Sequence, residues 1–170
     1  MLQKWYFLPI FRANPGYFPL DMIDRRLVDA LQRDSSRSIA DLAEIAGTSA
    51  SACHRRIKSL EAAGLIVGYS AVLDPQRLGL KLQAFVEITL NSQSREAMDR
   101  FEQAVGEFDD ILECHLMTGS ADYVLWVAAG DLEQFDRIHR ECLSRLPGVS
   151  SMRSSFAIRT IKRWRGYPVR

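Results

Sequence analysis

The stretch that decides the fold is SIADLAEIAGTSASACHRRIKSLEAAGLI, residues 38–66. Its first half repeats apolar residues at helical spacing and stops at Gly47, a residue that commonly terminates helices in a left-handed conformation. Ser49 then stands at an N-cap position, and apolar residues again follow at core spacing. Two short helices around a turn predict a helix-turn-helix, with the second helix over about 50–63.

The second predicted helix carries a polar and basic outward face. Because successive side chains turn by about 100°, a helix that buries Cys53, Ile57 and Leu60 directs the opposite residues towards solvent. In a DNA major groove, Arg can reach guanine and Ser or Lys can reach base edges or phosphates. An ordinary solvated surface helix is an equally good interpretation of the helix alone. The candidate DNA-binding residues are Ser49, Ser51, His54, Arg55, Arg56, Lys58 and Ser59.

The flanking residues favour the DNA-binding interpretation. After the second helix, LIVGYSAVLD at 65–74 alternates as a strand does, which is typical of the wing of a winged helix. Before the first helix, LDMIDRRLVDALQ at 20–32 predicts another helix, with Asp21 as N-cap and Asp24 as its capping partner. We therefore expect a winged helix-turn-helix domain over 20–72, followed by a linker over 73–81.

The second half of the chain changes period. From Leu82 the pattern alternates between strands and helices in the order βαββαβ, and Asp131 is expected to cap the second helix, whose core positions begin at Leu132. This is the ferredoxin-like plan, an antiparallel sheet with helices on one face. The fold class is thus α+β, with this domain over 82–162. A second copy of the sheet is the expected cover for the open face, hence a homodimer.

Composition excludes several classes of protein. The 170 residues carry a net charge of only +1 with 47% hydrophobic residues, so any DNA contact must come from a local patch or from several copies. Residues 21–66 hold seven Lys or Arg and seven Asp or Glu.

The three cysteines are widely spaced, which indicates buried thiols rather than a disulfide or a metal site. No cofactor, phosphate loop or nucleophile–base pair is predicted, and no run approaches the roughly 20 apolar residues that cross a membrane. We expect a cytoplasmic protein that is not an enzyme.

Both ends of the chain carry aromatic residues. The extension over 1–19 is aromatic and contains three Pro; it does not fit a core helix or a signal peptide. It packs on a neighbouring subunit or reflects an upstream start codon, and the sequence leaves both open. The tail over 163–170 is basic and could contact phosphates, although a solvated C-terminus is the more common fate.

The whole arrangement resembles the Lrp/AsnC family of transcription regulators. The resemblance covers most of residues 20–165. It rests on LDMIDRRLVDALQRDS, on GTSASACHRRIKSLEAAGLIVGYSAVLDPQRLGL, on FVEITL, on ILECHLMTGSADYVLWV and on LPGV. Family recognition helices often begin Pro-Thr-Pro after the capping Ser, whereas Ala50, Ser51 and Ala52 stand here. This departure puts in doubt any base preference taken from relatives.

The resemblance implies a DNA-binding regulator that responds to an amino acid or related metabolite. It implies homodimers that assemble further into tetramers or octamers on double-stranded DNA, and an effector site near the loop between the second and third strands of the C-terminal domain. The effector residues that it implies are Leu116, Thr118, Gly119, Asp122, Tyr123 and Ser154. A plain hairpin turn, with Gly119 at positive φ and Asp122 as a cap, is the alternative for the loop.

Two other functions stay open at this point. Siroheme decarboxylases resemble the same two-domain plan, and such an enzyme would need His residues near a tetrapyrrole. The chain has only His54, His115 and His139. A metabolite sensor that has lost DNA binding is the third possibility.

Overall fold

The computed structural model describes residues 18–169. These residues fold into two compact units. The N-terminal unit holds residues 18–72 together with the returning tail, 162–169, and the C-terminal unit is Leu73–Ile161. The predictions for residues 1–17 and for Arg170 lie outside the described residues. Between residues 18 and 169, no helix is long and apolar enough to cross a membrane.

The N-terminal unit is built from three helices: α1 (Met22–Arg33), α2 (Ile39–Ala46) and α3 (Ala50–Ala62). One apolar cluster joins all three, and the buried face predicted for α3 is confirmed. The residues of this cluster are Leu27, Ala30, Leu42, Ala43, Ala46, Cys53 and Ile57. The turn between α2 and α3 is at Gly47, whose φ of 72° places it in the left-handed region, as predicted.

Each helix of this unit begins at a side-chain cap. Asp21 accepts a hydrogen bond from the backbone N–H of Asp24 at 2.8 Å, which confirms the predicted N-cap of α1. The return bond predicted for the Asp24 carboxylate is wrong, because that group accepts from Arg56 instead. A reciprocal capping box is present on α2, between Ser38 and Asp41.

The strand predicted after α3 does not form. Residues 65–81 contain no strand, and Val67 and Val72 are 78% and 99% exposed. A strand requires a neighbour for its backbone hydrogen bonds. Within residues 18–169 no other segment pairs with this one. The prediction of a wing strand is therefore wrong for the protomer.

The C-terminal unit confirms the predicted βαββαβ order. Its elements are β1 (Leu82–Leu90), α4 (Arg95–Val105), β2 (Ile111–Leu116), β3 (Tyr123–Ala129), α5 (Leu132–Glu141) and β4 (Val149–Phe156). The strands form one antiparallel sheet in the order β2-β3-β1-β4. The unit is thus a ferredoxin-like α+β fold.

The two helices of this unit cover one face of the sheet, and the other face is more exposed to solvent. Val86 and Leu125 are fully buried in the cluster that holds residues of both helices. Phe85 is 43% exposed and, by the alternation along β1, lies on the opposite face. On β3 the indole Nε1 of Trp126 is buried without a hydrogen-bond partner among the described residues.

Leu132, predicted in the core, is 63% exposed because it is the first residue of α5, immediately after the cap Asp131.

Candidate functional site

The exposed face of α3 is the first candidate site. Ser49 begins the helix, since its hydroxyl accepts from the backbone N–H of Ala52 at 3.3 Å. Cys53 and Leu60 are 0% and 1% exposed and fix the rotation of the helix on its unit. The residues left on the outside are those predicted from the spacing, Ser51, His54, Arg55, Lys58 and Ser59.

Arg56 is an exception among the predicted DNA-binding residues. Its Nη1 lies 2.7 Å from Asp21 Oδ2 and 2.8 Å from Asp24 Oδ1, both at the start of α1. The backbone N–H of Asp24, and then the guanidinium, hold the pKa of the Asp21 carboxyl below its usual value. The Arg56 side chain therefore joins α3 to α1, whereas the sequence suggested a free cation.

The remaining cations of the face also differ from each other. Lys58 Nζ lies 2.7 Å from Glu61 Oε2, and the Tyr69 hydroxyl donates to Glu61 Oε1 at 3.0 Å. The hydrogen bond from Lys58, followed by that from Tyr69, lowers the pKa of Glu61. Across residues 18–169, Arg55 has no salt-bridge partner. As far as the described residues go, Arg55 is thus the cation on this face whose charge is available for a ligand.

The loop between β2 and β3 is the second candidate site. Its ends are closed by a backbone hydrogen bond of 2.8 Å from Met117 N to Asp122 O. Thr118 and Gly119 between them are exposed. Gly119 has no positive φ, and a Cβ built there would meet no atom of the described residues within 4 Å. The backbone geometry therefore does not require glycine, and the simple hairpin explanation of Gly119 is wrong.

Asp122 holds this loop on the end of β1. Its Oδ2 accepts from the backbone N–H of Leu90 and its Oδ1 from Gln93 Nε2, each at 2.7 Å. Both carboxylate oxygens thus have partners inside the protomer. Gln93 was not predicted, because only the fold brings the residues after β1 next to Asp122.

The other predicted effector residues do not all meet at the loop. Leu116 adjoins it and is 59% exposed. Tyr123 is 1% exposed in the helix-covered core, and its hydroxyl donates to Glu102 Oε1 at 2.7 Å. Ser154 lies on β4, at the opposite edge of the sheet from β2. Three strand-to-strand spacings separate these two strands, a distance of about 14 Å. One protomer therefore brings together Leu116, Thr118, Gly119 and Asp122 but neither the Tyr123 side chain nor Ser154.

The cysteines and acids form no further centre in the described part of the chain. Residues 18–169 contain no group of three or more His, Cys, Asp or Glu side chains arranged to hold a metal ion. Cys53, Cys114 and Cys142 are free thiols. Burial raises the pKa of Cys114 to about 11 and that of Cys142 to about 12.

A helix-turn-helix with an exposed basic helix, in one chain with a ferredoxin-like unit, defines a two-domain DNA-binding regulator. Family models agree with each half. Residues 20–61 match the AsnC-type helix-turn-helix domain, and residues 83–167 match the Lrp/AsnC ligand binding domain. The chain belongs to the Lrp/AsnC family of transcriptional regulators.

Individual relatives match along most of their length. The leucine-responsive regulatory protein of Escherichia coli is 38% identical over 151 residues, which is 89% of this chain and 92% of that protein. An AsnC family transcriptional regulator from Agrobacterium tumefaciens superposes with a TM-score of 0.84 at 34% identity, covering 88% of this chain and 97% of that one. A transcriptional regulator from Neisseria meningitidis, solved in complex with L-methionine, has a TM-score of 0.83 at 31% identity with the same coverage. The family and the two-domain fold predicted from the sequence are confirmed.

Proposed function

We propose that α3 enters the DNA major groove and that Arg55 is its principal base-reading side chain. The observation that carries this proposal is the rotation of α3, which buries Cys53, Ile57 and Leu60 and leaves Arg55 exposed without a salt bridge in the described chain. Arginine binds the O6 and N7 atoms of guanine through two hydrogen bonds. Near Arg55, the side chains of Ser51, Lys58 and Ser59 bind base edges or phosphates. Arg56 does not contact DNA in this proposal and orients α3 through its salt bridges to α1.

We further infer that an amino acid is the effector and that it binds at the loop between β2 and β3. The likeness to a regulator solved with L-methionine supports the ligand class. The exposed hydroxyl of Thr118 and the backbone N–H groups of the exposed loop around Gly119 are suited to a carboxylate, which accepts hydrogen bonds from hydroxyl and amide donors. The carboxylate of Asp122 is suited to the ammonium group, while it keeps the hydrogen bonds that hold the loop. Tyr123 supports this loop from the core, and Ser154 contributes only through another protomer.

The proposed regulator works as a homodimer or a larger assembly. The sheet face that carries Phe85 supports this proposal, because an aromatic side chain that is 43% exposed on one protomer gains from a covering surface. Effector binding then favours one assembly, and the assembly sets the spacing of paired recognition helices along DNA. In this proposal the protein binds DNA in the cytoplasm and catalyses no reaction.

The test is thermal unfolding of the purified protein against each of the twenty amino acids. A ligand that binds only the folded state raises the melting temperature by mass action. The proposal expects a rise with one or a few amino acids, and expects that same amino acid to change the affinity for DNA. A protein that shows no rise with any of them would contradict the effector proposal. A protein that stays monomeric and still binds DNA tightly would contradict the assembly proposal.

A further inference from the structure

The C-terminal tail returns to the DNA-binding unit, where the Gln32 side chain binds it. Residues 162–169 belong to the same compact unit as the three helices. Gln32, near the end of α1, donates from Nε2 to the carbonyl oxygen of Tyr167 at 3.1 Å and accepts from the Tyr167 N–H at 2.6 Å. The amide thus binds both backbone groups of one tail residue, as a neighbouring strand would.

Gly166 makes this contact geometrically feasible. Its φ is +106°, a conformation that side chains with a Cβ rarely adopt. A Cβ built there would lie 2.6 Å from Gln32 Oε1. The rings of Trp164 and Tyr167 also pack edge to face, with centroids 5.7 Å apart. The position of the tail therefore depends on its particular sequence.

The returning tail changes the charge of the DNA-binding unit. Residues 18–72 carry seven Lys or Arg and seven Asp or Glu, so this part alone is neutral. The tail adds Lys162, Arg163 and Arg165 and no acid, which brings the described unit to +3. All three are exposed, and none has a salt-bridge partner between residues 18 and 169. Free cations on a DNA-binding unit are the groups that neutralise phosphates.

The tail also lies beside the parts of the unit that border the helix-turn-helix. A cavity of about 910 Å³ is lined by Trp164 and residues 166–169 of the tail, by the turn over 34–36 and by the segment over 65–72. The turn leads into α2, and the segment follows α3. In helix-turn-helix proteins, the second helix of the motif enters the groove while the first crosses the phosphate backbone. The tail is thus next to the segments that enter and leave the motif.

We propose that Lys162, Arg163 and Arg165 form a second phosphate-contacting element, which binds the DNA backbone beside the base pairs that α3 reads. The inference rests on the DNA-binding function proposed above and assigns the tail to the same interface. The Gln32 side chain and Gly166 position this element, and they do not themselves contact DNA.

The salt dependence of DNA binding tests the proposal. In a Lys162→Ala/Arg163→Ala/Arg165→Ala variant, the slope of log K against log salt becomes shallower by about 0.9 for each phosphate that the variant no longer neutralises. Affinity falls equally for specific and unrelated duplexes, because phosphates carry no sequence. The matched control removes three exposed cations of the C-terminal unit in Arg100→Ala/Arg137→Ala/Arg145→Ala, which changes the net charge by the same amount. A tail variant with the wild-type slope, or with only the change seen in the control, would overturn the proposal.

A second variant tests whether the docked position of the tail matters in addition to its positive charge. Gly166→Ala keeps all three cations but puts a Cβ at a φ of +106° and against the Gln32 side chain, which strains the docked position of the tail. The expected result is a shallower salt slope than that of the wild type, with the melting transition of the fold retained. A wild-type slope in Gly166→Ala would overturn the role of the docked tail. If the wild-type protein itself fails to bind any duplex, the DNA-binding function has failed. If the wild type binds DNA and the tail variants bind it with the same salt slope, the proposed role of the tail has failed while the DNA-binding function stands.

Discussion

Arg56 Nη1 on α3 lies 2.8 Å from Asp24 Oδ1 on α1. This pair, extended by Asp21 at 2.7 Å, turns a residue of the polar helix face into a structural contact between helices. We predict that Arg56→Ala lowers the urea midpoint of unfolding, because Asp24, whose side chain is only 14% exposed, loses its partner. Base preference should remain that of the wild type.

Arg55→Ala is the control for this experiment. It removes an exposed cation with no salt bridge in the described chain, so the urea midpoint should stay unchanged while DNA affinity falls. If Arg56→Ala kept its stability and altered base preference, Arg56 would be a reading residue and the assignment of the two arginines would be reversed.

The loop between β2 and β3, the proposed effector site, gives a second contrast, between Thr118 and Asp122. Asp122→Ala leaves the part-buried N–H of Leu90 without its acceptor, which costs about 1–3 kcal/mol. Thr118→Ala removes an exposed hydroxyl and should change stability by no more than about 0.5 kcal/mol. We therefore expect Thr118→Ala to abolish or weaken the thermal shift caused by the effector at nearly unchanged stability. An undiminished shift in Thr118→Ala would place the effector elsewhere.

Tyr123 should behave as a support of the loop rather than a ligand contact. Tyr123→Phe removes the hydroxyl that donates to Glu102 while retaining the ring against Phe101, so a loss of about 1 kcal/mol is expected by urea unfolding. The midpoint concentration of effector in the thermal assay should not change. A large change in that midpoint would show that the hydroxyl turns towards the ligand.

The stability of the protein should fall in alkali, partly through Cys142. Burial and the nearby charge of Asp110 raise the pKa of this thiol to about 12 from an ordinary value of 9.0. The native state keeps the proton between these values while the unfolded chain loses it, so the free energy of unfolding decreases as pH rises from 9 to 12. Below pH 9 both states are protonated and the contribution is constant. Urea unfolding at several pH values should give a smaller decrease for Cys142→Ala, and an identical decrease would contradict the assignment.

Local patterns were sufficient to predict most of the fold. Helical spacing and capping residues located α3 and its buried face, and the change of period after Leu82 indicated the βαββαβ order. The wing strand failed as a prediction because alternation at 65–74 indicates a strand without showing whether a neighbour pairs with it. Asp24 failed as a capping partner because Arg56, 32 residues later, competes for its carboxylate.

The functional sites were less accessible to sequence reasoning, since they depend on contacts between distant residues. The spacing put Arg55, Arg56 and Lys58 on one polar helix side, but only the packing of α1 and the contact with Glu61 distinguish their charges. The apparent neutrality of residues 21–66 was misleading, because a tail from the far end of the chain returns to the same unit. No local pattern signals the contact between Gln32 and Tyr167.

The most direct test of the central claim is selection of bound duplexes from a random DNA library by the wild-type protein and by Arg55→Ala. We predict that the wild type enriches a defined motif containing guanine, and that Arg55→Ala loses the preference at one or two positions while still folding. Enrichment of the same motif by both proteins, or of no motif by the wild type, would contradict the conclusion that the exposed face of α3 reads DNA.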